Sequence, residues 1–342
     1  MFPLTLSYTP AVDRYQKMPY QRCGRSGVLL PPISLGFWQN FGENKRYEDM
    51  VDMVHYAFDQ GICHFDLANN YGPGPGAAEI NFGRMMKASL GPYRDELFIS
   101  SKAGYEMWPG PYGNWGSRKY LISSLDQSLK RMNLDYVDVF YIHRWDPDTP
   151  IEETMEALVD IVRQGKALYV GISRFPHDAT FKALAYLESQ NVHCLLFQDR
   201  YNILDRTMEE DHLFPLLKEH GVGVAVFSPL HQGLLTQRYL NGIPADSRMA
   251  RRESLTPEML TEDMLKALRG LNEIAQKRGQ TLAQMSLSWL LDDDRVRTVI
   301  IGASSREQLK EDLRALENTS FTFEERDKIE HLSRPVQFRE RK

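Results

Sequence analysis

Cysteine is scarce: Cys23, Cys63 and Cys194 are the only three in 342 residues. They are too few and too scattered for a disulfide framework or a metal-ligand spacing, so no metal is expected. Cys63 and Cys194 lie in apolar runs and read as small core residues. No apolar run approaches the roughly 18 residues that a membrane helix needs. The N-terminal stretch has no basic segment leading into an apolar one, so a secretory signal is not expected and a cytoplasmic protein is the default. A large excess of charge is also missing. The net charge is -5 and the pI about 6.0, which argues against nucleic acid or an anionic membrane as the main partner. No GxGxxG follows the first apolar run, against an open dinucleotide-binding sheet. No low-complexity linker divides the chain, so an arm over residues 1–17 and one domain over 18–342 are expected.

What the sequence does have is alternation. Two short extended runs flank Gly24-Arg25-Ser26-Gly27, which signals a hairpin within residues 18–33. Short apolar runs follow at 33–37, 62–66, 97–101, 137–142, 168–172, 192–197, 222–227 and 298–301. Each precedes a stretch with apolar residues at helical spacing: 47–60, 77–90, 118–132, 151–164, 177–190, 208–220, 261–278 with 282–291, and 306–316. Continuously apolar strands are buried on both faces. Strand-then-helix units of this kind predict an α/β fold, a (β/α)8 TIM barrel with an N-terminal β-hairpin. Two long connections, 103–117 and 229–260, are expected to lie over the C-terminal face as lids or binding loops.

That face is where barrel enzymes build their sites. The residues following the predicted strands are Trp38, Asp66, Lys102, His143, Ser173 with Arg174, Gln198, Ser228, and Gly302 with Ser304. The stretch ICHFDLANNYG, residues 62–72, also brings Tyr71 into the loop after Asp66. A phenol titrates near ~10 and is a poor acid at neutral pH. A lysine cation near Tyr71 would favour the phenolate, and Asp66 would hold Lys102 in place. His143 would orient a substrate carbonyl oxygen. The set suits a carbonyl that gains a proton on oxygen and a hydride on carbon. No side chain supplies hydride, so a nicotinamide cofactor is implied.

FDLANNYG, SSKAGY, YIHR, VGIS, FSPL and IGAS, in this order, resemble the aldo-keto reductase family over about residues 20–332. The resemblance implies NADP(H) laid across the mouth of a barrel, and a catalytic tetrad of Asp66, Tyr71, Lys102 and His143 with Tyr71 as proton donor. By the same resemblance, Phe227 stacks on the nicotinamide, and Ser173 and Gln198 hold its carboxamide. Ser228, Leu230, Gln232, Gly233 and Arg238 line the pyrophosphate. Gly302, Ser304, Gln308 and Glu311 bind the adenosine end. Trp38, Asp66, Arg174, Arg248 and Asp312 complete the cofactor set. Gly302-Ala303-Ser304-Ser305-Arg306 resembles the family's 2′-phosphate loop, which favours NADP(H) over NAD(H).

There are departures from the family's pattern. Leu67 stands where many members have Thr, Arg174 where many have Asn, and Asp312 where the branch of potassium-channel β subunits has Asn. The runs YEMWPGPYGNWGSRKYL and LNGIPADSRM resemble a bacterial branch that reduces L-glyceraldehyde 3-phosphate. The expected substrate is therefore a small aldehyde with an anionic group, or a similar short aldehyde such as methylglyoxal. Trp38, Tyr71, His143 and Trp108 are expected around it, with Arg118 and Lys119 at a helix start to meet its phosphate. The resemblance also implies a homotetramer or octamer. Two other readings compete. A channel-β-like regulatory or interaction protein would keep the cofactor site, but members of that type carry Asn where this chain has His143. A Schiff-base aldolase would need Lys102 deprotonated, and Asp66 opposes that.

Overall fold

The computed structural model describes residues 8–247, 249–252 and 255–338. A short antiparallel pair, Gln21–Arg22 (β1) and Leu29–Leu30 (β2), precedes the barrel. Ile33–Gly36 (β3), His64–Asp66 (β4), Phe98–Ala103 (β5), Val137–Ile142 (β6), Ala167–Ser173 (β7), Cys194–Arg200 (β8), Gly223–Phe227 (β9) and Thr298–Ile301 (β10) then close into a barrel in chain order. All its pairings are parallel. The expected (β/α)8 architecture and hairpin are both present.

Apolar residues on the outer faces of the strands pack against the surrounding helices and make up the main core. A second cluster holds Cys23 and Leu30 with Val139, Tyr141, Leu195, Leu196, Ala225 and Ile300. Through it the hairpin is joined to residues of β6, β8, β9 and β10. Gly24 makes that seat possible: its φ is +52°, and a Cβ there would come within 2.0 Å of the Gly221 carbonyl oxygen. The neighbouring Arg25 N–H donates to the same carbonyl at 2.8 Å.

Several boundaries differ from the sequence reading, for local reasons. β5 runs on through Lys102 and β8 through Gln198, so these two residues lie within strands and not after them. The helix expected at 208–220 is two, Thr207–Glu210 and Leu213–Glu219, broken where His212 takes φ 55°. The helix expected at 77–90 ends as an α-helix at Met85 and continues as a π turn, Met86–Leu90. That expected at 306–316 ends at Leu313, followed by a 3-10 turn, Arg314–Glu317. Helix Phe323–Ser333 was not expected, although its capping box, Thr322 with Glu325, is legible as Thr-x-x-Glu. Residues 8–17, read as a loose arm, lie against helix Tyr47–Asp59. There Tyr8 stacks on His55 at 3.7 Å and donates to Asp59 at 2.9 Å.

Candidate active site

Side chains alternate along a strand, so residues two apart share a face. On β4, His64 and Asp66 point into the barrel, while Phe65 packs outward against Phe37 and Phe82. On β5, Ser100 and Lys102 point in, while Ser101 points out to the buried Glu79 at 2.6 Å. Strand pairing sets Asp66 beside Ser100. Lys102 Nζ then reaches Asp66 Oδ2 at 2.6 Å and the Leu67 carbonyl at 2.8 Å. Asp66 Oδ1 accepts from Ser100 at 2.7 Å and from Gln198 Nε2 at 3.0 Å. Lys102 is wholly buried and Asp66 nearly so. A buried ion pair persists only with such added hydrogen bonds, because each charge has lost its water.

Tyr71 comes from the loop after β4. Its Oη lies 3.5 Å from Lys102 Nζ, a long contact by hydrogen-bond standards. His143 follows β6 and meets the Tyr71 ring edge-on at 5.5 Å between centroids. Tyr105 also packs edge-on with His143 at 4.7 Å, and its hydroxyl accepts from Arg174 at 3.0 Å. Arg174 sits at φ 56°, just after β7.

Ionisation follows from burial. The Tyr71 phenol is pushed well above its usual range by desolvation, then by Asp66 and Tyr105, with Arg174 opposing. This reverses the expectation that Lys102 would bring the phenol down towards neutrality. The lysine's charge is spent on Asp66 at 2.6 Å, and Tyr71 stands farther off. Burial pulls Lys102 itself down, and Asp66 opposes that pull. His143 is held well below its usual range by desolvation and by Lys102, Arg174 and Arg144. A neutral imidazole offers one N–H and one lone pair. The arrangement therefore pairs a protonated phenol with a neutral histidine at one position.

These groups open into a cavity of about 680 Å³. Asp66, Tyr71, His143 and Trp38 line it, as do Arg174, Gln198, Phe227, Ser228, Leu230, Gln232, Gly233 and Arg238; Gly302, Ser304, Gln308 and Asp312 complete the expected lining. The backbone after β9 takes left-handed conformations at Ser228, His231, Gln232 and Gly233. Ser304 donates from both its N–H and its hydroxyl to Gln308 Oε1, at 2.9 and 2.8 Å.

A profile of the Aldo/keto reductase family matches residues 32–334. The chain belongs to this family. It is 55% identical over 322 residues to the L-glyceraldehyde 3-phosphate reductase of Escherichia coli K12, covering 93% of each. It is 35% identical over 306 residues to a probable voltage-gated potassium channel subunit beta of Arabidopsis thaliana, covering 88% of this chain and 92% of that one. Among solved structures, it resembles a thermostable aldo-keto reductase in complex with the inhibitor epalrestat. The TM-score is 0.72 at 32% identity, covering 92% of this chain and 100% of that one. The chain is thus an aldo-keto reductase, an oxidoreductase.

Not every expected residue of this aldo-keto reductase lines the cavity. Arg118 is ion-paired with Asp160 at 2.5 Å, and its backbone N–H donates to Glu153. Lys119 lies over the Tyr112 ring at 5.2 Å, and Trp108 packs on Tyr120. Glu311 accepts from Gln284. Ser173, at the end of β7, is buried with no hydrogen-bond partner for its hydroxyl. Arg248 lies outside the described residues. Residues the sequence reading missed include Tyr105, Asn70 and Arg200, all lining the cavity. Tyr105 stands in the very run SSKAGY that carried the resemblance, three residues past Lys102.

Proposed function

We propose that this aldo-keto reductase reduces a small aldehyde to an alcohol with NADPH, Tyr71 donating the proton. The supporting observation is the Tyr71 phenol beside the buried Lys102–Asp66 pair, with the His143 ring against it, Tyr71 and His143 lining one cavity. The residues present fit a dinucleotide. A volume of about 680 Å³ falls within the ~300–1,000 Å³ range of small-molecule sites. Ser173 Oγ and Asp312 Oδ2 are buried polar atoms with no protein partner. Ser173, Gln198 and Phe227 would hold the nicotinamide end, and Gly302, Ser304 and Gln308 the adenosine end. A nicotinamide bound there supplies the hydride.

The remaining work falls to side chains. His143 orients the carbonyl oxygen towards Tyr71, and Tyr71 Oη delivers its proton to that oxygen. Lys102, 3.5 Å away, stabilises the phenolate that remains. Because burial holds Tyr71 protonated, the acid is loaded at neutral pH and its cation matters after transfer.

The substrate we propose is L-glyceraldehyde 3-phosphate or a similar short aldehyde, from the likeness to the Escherichia coli enzyme. Arg174 lines the cavity beside Tyr105 and is a better-placed cation for a substrate anion than Arg118 or Lys119. We also propose a homo-oligomer, to be checked by light scattering. The test of function is kinetic. Tyr71→Phe is expected to lower NADPH-dependent reduction of glyceraldehyde 3-phosphate by ~10²- to 10⁴-fold, the range for a lost general acid. NADPH binding, followed by its fluorescence, should be nearly unchanged. Wild-type turnover in that variant would remove Tyr71 from the mechanism, and equal kcat/KM with NADH would remove the cofactor preference.

A further inference from the structure

One wall of the barrel interior is polar where barrels are usually packed with branched apolar side chains. Ser34 on β3, His64 on β4, Ser100 on β5 and Thr298 on β10 are all wholly buried. They form a continuous chain below the Asp66–Lys102 pair. Thr298 Oγ1 lies 2.5 Å from Ser34 Oγ, and Ser34 Oγ lies 2.8 Å from His64 Nδ1. His64 Nε2 lies 3.1 Å from Ser100 Oγ, which lies 2.7 Å from Asp66 Oδ1. Beside this chain, Val139, Tyr141, Leu196, Ala225 and Ile300 belong to the apolar inner cluster.

The proton positions follow from donor and acceptor counting. Asp66, ionised against Lys102, only accepts. Ser100 has one proton and gives it to Asp66 at 2.7 Å; its other acceptor, the Phe65 carbonyl, is at 3.5 Å. The Ser100 oxygen must then accept from His64, so Nε2 carries the proton. Nδ1 must accept from the Ser34 hydroxyl. Ser34, having given its proton, accepts from Thr298. Every donor in the chain points the same way, towards Asp66. A protonated His64 would break the order, because Nδ1–H would oppose the Ser34 proton. Burial holds the ring neutral, down to about 4; Asp66 pulls its pKa up and Lys102 pushes it down. The other ring neighbour is the edge of Phe98, centroids 5.3 Å apart.

We infer that His64 is a positioning residue for the reduction: its Nε2–H commits Ser100 as a donor to Asp66 Oδ1, which holds the carboxylate turned so that Oδ2 fixes Lys102 beside Tyr71. Losing that hydrogen bond leaves the carboxylate free to turn, and Lys102 then loses its fixed place 3.5 Å from Tyr71 Oη. This rests on the proposed role of Tyr71, and the two can fail separately.

The experiment compares wild type with His64→Phe, His64→Gln, Ser100→Ala and, as a reference for the parent reading, Tyr71→Phe. Measured for each are melting temperature, NADPH binding by fluorescence, and kcat and KM for the aldehyde from pH 5 to 9. Ser100→Ala and His64→Phe are expected to lose about 10- to 100-fold in kcat, the weight of one hydrogen bond to a charged group. KM and NADPH affinity should stay within about twofold. His64→Gln, whose amide N–H can reach Ser100, should recover most of the loss. Wild-type kcat in Ser100→Ala, or a loss that falls on KM instead of kcat, overturns the inference. So does a His64→Gln variant as slow as His64→Phe at equal melting temperature. If His64→Phe does not fold, Ser100→Ala and His64→Gln decide. An active Tyr71→Phe enzyme would instead overturn the parent reading.

Discussion

At the scale of single residues, the site is a set of charges and protons held out of water. Asp312 shows how far burial alone moves a group. It lines the cavity, one carboxylate oxygen is buried with no partner, and its pKa is pushed up to about 7 by desolvation. Gln308 opposes that rise and Glu311 adds to it. Below neutrality Asp312 is therefore largely a neutral acid, and above it a buried anion. The native form holds the proton more tightly than an unfolded aspartate with an ordinary value of 3.8. Stability is thus fully present at low pH and falls as pH rises from the unfolded value to the folded one. Asp312→Asn is expected to stabilise the protein at pH 8 by roughly 1–3 kcal/mol, the cost of a buried unsatisfied polar group. NADPH affinity of the wild type should weaken several-fold between pH 6 and 8, and that dependence should vanish in the variant. Chemical denaturation and fluorescence titration at the two pH values check both, and parallel wild-type and variant curves would show that Asp312 does not titrate there.

At the scale of elements, register decides what meets what. Tyr141 on β6 pairs with Gly171 on β7. Its ring fills the space a side chain on Gly171 would need: a Cβ there would lie 2.3 Å from two ring carbons. The same ring stands 5.6 Å from Lys102 Nζ, so it braces the lysine from the side opposite Asp66. Gly171→Ala is expected to cost roughly 1–3 kcal/mol, as overpacking does. It should also lower kcat, because the displaced ring presses on Lys102. Melting temperature and kcat measured together test this. An unchanged melting temperature would mean that the ring moves aside freely, and unchanged kcat at lowered stability would confine the effect to packing.

For the whole molecule, the buried histidines set the acid limit. His64 is held down to about 4, and burial also lowers His143 and His55. Unfolding lets each return to its ordinary value of 6.5. Between the folded and unfolded values the unfolded chain binds more protons, so stability falls as pH drops below about 6.5. The melting temperature is expected to fall by several degrees between pH 6.5 and 4.5. His64→Gln, once corrected for its own cost at pH 7, should fall less steeply. Equal slopes would place the acid sensitivity elsewhere.

The fold was legible in the sequence because it depends on short-range facts. Apolar runs separated by helical periodicity bury both strand faces in a parallel sheet covered by helices, and eight such units without a dinucleotide fingerprint after the first run point to a barrel. Asp66, Lys102 and His143 were legible for a related reason: a polar residue ending an apolar strand has few other uses. Boundaries were harder, since one-residue events such as the left-handed His212 leave no periodic trace. What tertiary structure alone decided is electrostatic and steric. The ends of consecutive strands suggested that Lys102 would lower the Tyr71 pKa, but the distances spend that charge on Asp66 and burial raises the phenol. Arg118 and Lys119 looked like an anion site because a helix starts there, yet Asp160, 42 positions from Arg118 in sequence, takes its charge. The chain through Thr298, Ser34, His64 and Ser100 joins residues up to 264 positions apart. Only closing the barrel makes them neighbours, because strand pairing brings the last strand back beside the first.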